Sequence, residues 1–535
     1  MWSPAILSTI LALICSSYAS LDVHLAIGTF RGVATANNTE RWLGVPFVEP
    51  PVGELRFKAP VSISKPLPGI QNASVFGDAC PQPPDPTLGA PISENCLHLN
   101  IWRPSNTSAV AKLPVLFWIH GGFYMLGASS NPAFDPTRIV QRSVTAGKPI
   151  IFVSTNYRLN TFGFLASSNV PGADLNAGLL DQQAALEFVQ ENIAQFGGDP
   201  AKVTLWGQSA GGGSVEAQLL YSSGDLFRAA IMHSSSGPFK TSPPPSTYDE
   251  PGKAYANLVN ATGCPTGPAS LSCLRQLPLD TLTNVSNTMI RATLNNQLWN
   301  PTVGPSGTFV PELASTRIAS GTFKHIPIIG GSNLNDGSIF STTLRNLNLT
   351  GDAQDDAFDN FVLGQLIDSS RVTSSTLARL RALYPANDSS LGAPFNTGDS
   401  LFDRGSAWYG DNSYLSPRRR LLEKAASLQN AWGFFFEEFF PGADPSLGVS
   451  HGSELKLLFG PVPAAVEEEF ANTYLDLYLN FIHELNPGPS WSKYEPQTRR
   501  VLQLKRNNLT MIADDFHSDR TDFLNSDEVL REFIR

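Results

Sequence analysis

The sequence predicts an α/β fold: a large, mostly parallel central sheet with helices on both faces, in a single large domain. Three observations carry that expectation. Short apolar runs alternate with stretches of helical spacing through the first half of the chain, and a Gly-x-Ser-x-Gly turn directly follows one of those runs. No linker, repeat or low-complexity tract divides the 535 residues. A chain of that length with 42% apolar content buries a large core. Strands covered by helices on both sides read as unbroken apolar runs rather than as alternation.

The elements follow in order. Ala5 to Cys15 is an apolar run too short to span a bilayer, and it ends at Ser17-Tyr18-Ala19, with small residues where a signal peptidase cuts. Residues 1–19 are therefore expected to be an export signal, and residues 20–535 a secreted, soluble domain. The terminal stretch Glu528 to Arg535 is charged, unlike a lipid-anchor tail, so no stable membrane anchoring is expected. Of five cysteines, Cys15 leaves with the signal; Cys80, Cys96, Cys264 and Cys273 remain. Four cysteines allow three pairings, and the close spacings favour two local bridges. No Cys-x-x-Cys or His-x-x-x-His spacing supports metal binding. Asn-x-Ser/Thr sequons at Asn37, Asn72, Asn106, Asn260, Asn284, Asn348, Asn387 and Asn508 agree with passage through a glycosylating pathway.

Val115 to Ile119, Ile150 to Ser154, Val203 to Trp206 and Ala229 to Met232 have the length and apolarity of buried strands. Leu180 to Ile193 carries Ala185, Val189 and Ile193 at helical spacing and is stopped by Gly197-Gly198-Asp199-Pro200. The balance of 37 basic and 47 acidic residues gives a net charge of -10, which opposes binding to nucleic acid or to an anionic membrane. Arg418-Arg419-Arg420, a lone basic cluster, reads as a solvated helix end.

Chemistry centres on Gly207-Gln208-Ser209-Ala210-Gly211, between the run Val203 to Trp206 and the helical stretch Ser214 to Leu220. The glycines permit a sharp turn that projects the serine hydroxyl from the top of the sheet. A serine needs a base to take its proton and a third group to hold the base. On a doubly wound sheet the acid and then the histidine follow the serine. Only His451, His483 and His517 lie late enough. His483 falls in the helical stretch Thr473 to Leu485 and reads as packed at a core edge; His517 lies in a charged, exposed segment. His451, in the loop Gly448-Val449-Ser450-His451-Gly452, is placed as a mobile base would be. Asp336 ends the strand His325 to Gly330 and its Gly/Asn-rich turn, as the acid should. The turn His120-Gly121-Gly122-Phe123-Tyr124, after the strand Val115 to Ile119, can bring backbone N–H groups to an oxyanion.

Trp118 to Gly127, Asn156-Tyr157-Arg158-Leu159, Gly178-Leu179-Leu180-Asp181, Val189 to Asn192, Phe196 to Pro200 and the serine turn resemble the type-B carboxylesterases, a family that includes cholinesterases and secreted fungal lipases. Glu49 to Phe57, Glu94 to Asn100 and Gly448 to Leu455 match as well, so the resemblance spans nearly the whole chain after the signal. It implies an α/β-hydrolase fold, the triad Ser209, Asp336 and His451, and oxyanion donors from Gly122, Phe123 and Ala210. Disulfides Cys80–Cys96 and Cys264–Cys273, no cofactor, and a small-molecule ester substrate also follow from it.

Three departures stand out. Gln208 replaces the family's glutamate before the serine. Asp336 is one methylene shorter than the usual glutamate, so the histidine loop must sit closer. Phe123 replaces the third oxyanion glycine, and Phe123 and Tyr124 are expected to line the substrate site. The segment between Cys80 and Cys96, a flap or long lid in this family, is only 15 residues here, Pro-rich and poor in large apolar residues. That favours a broad carboxylesterase over a lipase or sterol esterase. Phe434, Phe435, Phe436, Phe439 and Phe440 read mainly as core rather than as an acyl tunnel. A non-catalytic binding module is the alternative of another class, opposed by the presence of all three triad residue types in order.

Overall fold

In the computed structural model, residues 21–535 are described, so the expected export signal lies outside the described residues. The centre is an eleven-stranded sheet. Its middle is parallel: Arg500–Leu504, Ala431–Phe436, Ile328–Asn333, Ala229–His233, Gly198–Gln208, Leu113–Ile119 and Ile151–Thr155 lie side by side in that order. Both edges are antiparallel. Thr510–Ala513 closes one, and His98–Pro104, Thr39–Pro46 and Val33–Ala34 close the other. The four strands expected from apolar runs are present at their expected places, and the helix expected from Leu180 spans Ala177–Asn192. A small second sheet, Asp22–Leu25, Gly28–Arg31 and Ile70–Asn72, lies apart from the main one.

The sheet is buried on both faces, which explains why its strands read as unbroken apolar runs. Val115, Phe117 and Ile119 point into one apolar layer with Val153, Leu205 and Val215. Leu116 and Trp118 point into the other, where Trp118 meets Trp206 at 4.3 Å and Trp206 stacks on Phe459 at 5.0 Å. Phe434, Phe435 and Phe436 belong to a central strand and are buried, Phe440 packs in the second layer, and Phe439 pairs with Phe395 at 4.7 Å. The phenylalanine run is core, as its composition suggested.

Both disulfides form as expected, Cys80–Cys96 and Cys264–Cys273. Between the first pair, the chain makes one short helical turn, Pro86–Leu88, with Leu88 buried against Ala79 and Ala128. All eight sequon asparagines are exposed.

The basic run departs from expectation. Arg418 and Arg419 lie in helix Ser416–Ala426 and are buried rather than solvated. Both guanidinium groups bond the Asp514 carboxylate, Arg419 through Nη2 at 2.9 Å, and Arg418 also donates to Ser332 Oγ at 3.1 Å and to the Phe434 carbonyl at 2.9 Å. The helix packs on the sheet, and an acid nearly a hundred residues away supplies the counter-charge that water was expected to replace.

Candidate active site

Ser209 stands between strand Gly198–Gln208 and helix Ala210–Tyr221 with φ 60° and ψ -128°. A non-glycine residue at positive φ is strained, and the neighbours enforce it. A Cβ on Gly207 would come within 2.3 Å of the Gly211 carbonyl, and one on Gly211 within 2.1 Å of the Ile119 carbonyl. The Ser209 N–H is fixed to the His233 carbonyl at 2.9 Å.

His451 and Asp336 come together as the sequence reading required. Asp336 Oδ1 lies 2.7 Å from His451 Nδ1. The carboxylate is fully buried and is itself held by the Ser234 hydroxyl at 2.9 Å and the Asn333 N–H at 2.7 Å. Burial pushes the Asp336 carboxyl above its ordinary range, against the pull of its bond to His451. With Nδ1 directed at the carboxylate, Nε2 presents the lone pair of a base. The ring is stacked on Tyr414 at 4.6 Å and meets the Phe340 ring edge at 5.1 Å.

Nε2 is occupied by Gln208, which the sequence marked only as a departure from the family pattern. The Gln208 amide nitrogen lies 3.0 Å from it. The candidate base is thus held at both ring nitrogens, by Asp336 on one side and Gln208 on the other.

Backbone contacts hold the histidine loop against the turn that carries Asp336. The Asn335 N–H donates to the Val449 carbonyl at 3.0 Å, and the Val449 N–H donates back to Asn335 Oδ1 at 3.0 Å. Gly448, at φ 58°, lies so close that a Cβ there would approach Asn335 Oδ1 to 2.3 Å. Behind this contact, the Asn333 amide donates to Glu454 at 2.7 Å, Glu454 bonds His233 Nδ1 at 3.0 Å, and Tyr478 meets His233 Nε2 at 2.6 Å. Burial pushes the Glu454 carboxyl up, but His233 and Asn333 prevail and hold it below its ordinary range. Ser234, Asn333, Glu454 and Tyr414 carried no sequence signal, because only strand pairing shows that they converge on the acid and the base.

The glycine turn presses on the serine: a Cβ on Gly121 would lie 2.9 Å from the Ser209 Cβ. Phe123 accepts the left-handed backbone at φ 63°. The N–H groups of Gly122, Phe123 and Ala210 meet no protein acceptor among the described residues. His120 anchors this turn through Nδ1 and the Gly121 carbonyl at 2.8 Å, and burial lowers its pKa to about 4, keeping it neutral. Phe123 and Tyr124 part company. The Phe123 ring meets the Phe340 ring at 5.3 Å on the His451 side. Tyr124 is turned into the core, 3% exposed, its hydroxyl on the Pro238 carbonyl at 3.2 Å. Consecutive residues with similar positive φ point their side chains apart, which corrects the expectation that both line the site. His483 is half-buried at the end of helix Glu468–Glu484, and His517 bonds Asp411 at 3.0 Å instead of lying free.

Comparison with known proteins adds an independent observation. The pattern of the carboxylesterase family matches residues 19–524. Secreted lipase 1 of Botryotinia fuckeliana is 33% identical over 91% of this chain and 89% of its own. Lipase 4 of Diutina rugosa is 32% identical over 97% and 98% respectively. The crystal structure of Aspergillus niger EstA superposes with a TM-score of 0.81 at 27% identity, covering 97% of this chain and 99% of that one.

Proposed function

The chain belongs to the carboxylesterase family and is a carboxylic ester hydrolase with the α/β-hydrolase fold, and on that premise we propose that Ser209, His451 and Asp336 are its catalytic triad. The observation that carries this reading is His451, bonded through Nδ1 to Asp336 and turning Nε2 toward the strained serine elbow. In the reaction, Ser209 Oγ displaces the Gln208 amide from Nε2 and attacks the ester carbonyl as Nε2 takes its proton. Asp336 stabilises the imidazolium, and the N–H groups of Gly122, Phe123 and Ala210 bind the oxyanion. The alcohol leaves with the proton from Nε2, and water resolves the acyl-enzyme by the same path.

The proposed substrates are soluble or moderately apolar esters. The disulfide-closed loop supports this choice, for its helical turn is three residues long and Leu88 is buried. It offers little apolar surface to a lipid interface. Long-chain esters are the second reading, favoured by the similarity to the lipases of Botryotinia fuckeliana and Diutina rugosa. Export with cleavage after residue 19 and glycosylation at exposed sequons complete the proposal; no helix among the described residues is long and apolar enough to cross a membrane.

Hydrolysis of p-nitrophenyl esters from acetate to palmitate, with and without a serine-directed organophosphate, tests the reading. Activity that peaks at short chains and is lost to the inhibitor is expected. A palmitate peak with activation at an oil–water interface selects the lipase, and no hydrolysis at all rejects the triad.

A further inference from the structure

Lys240 is 7% exposed, and its ammonium nitrogen has no hydrogen-bond partner among the described residues. It lies 4.0 Å over the Tyr409 ring, with Phe340 at 5.6 Å and Phe123 at 5.9 Å. No carboxylate pairs with it among the described residues; its charged neighbour is Arg535, whose Nε donates to the Lys240 carbonyl at 2.9 Å. Burial, and then the like charge of Arg535, push the amine well below its ordinary pKa. A buried amine left without an acid is costly to the fold, and an apolar residue of similar volume would fill the space more cheaply. Such groups concentrate at functional sites.

The rings around Lys240 are also the rings around the reacting centre. Phe123 carries one of the proposed oxyanion N–H groups, and Phe340 sets its edge on His451 at 5.1 Å. The amine therefore stands at the far end of an aromatic wall that begins beside the triad. We propose that Lys240 is the anion-binding end of the acyl site, and that the substrates include monoesters of dicarboxylic acids, whose free carboxylate reaches the amine. The inference rests on Ser209 being the nucleophile. The distances of 5.1 Å from His451 and 5.6 Å from Lys240 to the centre of the Phe340 ring bound the separation of the two groups, and a diacid of about six carbons, extending about 6 Å before its terminal hydrogen bond, falls within that bound. Its methylenes would lie against Phe123 and Phe340, and its carboxylate would give Lys240 the charge-assisted hydrogen bond it lacks.

Matched esters, phenyl hydrogen adipate and phenyl hexanoate, test this by phenol release with the wild type and with Lys240→Met. The wild type is expected to favour the adipate, and Lys240→Met to lose about 100-fold in kcat/KM on it while keeping its activity on the hexanoate. A wild type that prefers the hexanoate, or a Lys240→Met that changes both esters equally, overturns the proposal. Should Lys240→Met not fold, adipate inhibition of hexanoate hydrolysis by the wild type decides instead: competitive inhibition is expected, and none overturns the assignment. If the wild type hydrolyses neither ester, the triad reading is what fails. Calorimetry with monomethyl adipate then still reads the amine directly, with binding expected and no heat rejecting it.

Discussion

Ser209→Ala is expected to lower kcat by about 10⁴-fold or more on any ester the wild type hydrolyses. On the proposed triad the substitution removes the attacking oxygen itself, while the elements that position it stay in place. Its backbone is fixed by the Ser209 N–H bond to His233 and by the crowding around Gly207 and Gly211, none of which involves the hydroxyl. The variant should therefore unfold at the wild-type urea concentration, and the loss should be confined to turnover. His451→Ala should cost about as much, and the double variant little more, because residues that act as a unit are not additive. Residual hydrolysis would come from the oxyanion donors, which alanine leaves intact. A Ser209→Ala protein with undiminished, organophosphate-sensitive activity would place the nucleophile elsewhere.

Asp514→Asn is expected to destabilise the fold by about 3–5 kcal/mol, measured by urea unfolding at pH 7, because it leaves two buried guanidinium groups without an anion. Arg418 and Arg419 both bond Asp514, and each is almost fully buried. Burial alone would push the Asp514 carboxyl up; the two arginines more than reverse this and hold it below the ordinary carboxylate range. A depressed folded pKa contributes stability that is complete above the unfolded value of about 3.9 and is lost as pH falls through the folded one. The gap between wild type and variant should therefore persist at pH 5 and narrow only in stronger acid. Equal stability at pH 7 would mean that the pair is solvated after all. Because Arg418 also holds Ser332 on the strand that leads to Asp336, a loss of activity should accompany the loss of stability.

The same pair shows where sequence reasoning reaches and where it stops. Ser209 was legible because the elbow is local: strand, turn glycines and helix follow one another within a few residues. The sheet's parallel centre was legible because burial on both faces leaves continuous apolar runs. Arg418 and Arg419 were misread as solvated because their counter-charge comes from Asp514, and no pattern along the chain announces such a partner. Tyr124 was misplaced for a related reason: its turn conformation sets its direction, and composition does not report φ. Gln208 was noticed as a departure, but its contact with His451 depends on how close two distant loops come.

That closeness has an evolutionary consequence. Aspartate and glutamate are separated by a single-base change, and position 336 would seem free to drift between them. Yet the gap that Asp336 spans is set by Asn335 and Val449 clasping each other and by Gly448 lying flush against Asn335. A longer acid at 336 must be accommodated within this clasp, and a Cβ at 448 would press on Asn335 and strain it. On the proposed triad, positions 336 and 448 are therefore expected to change together rather than one at a time.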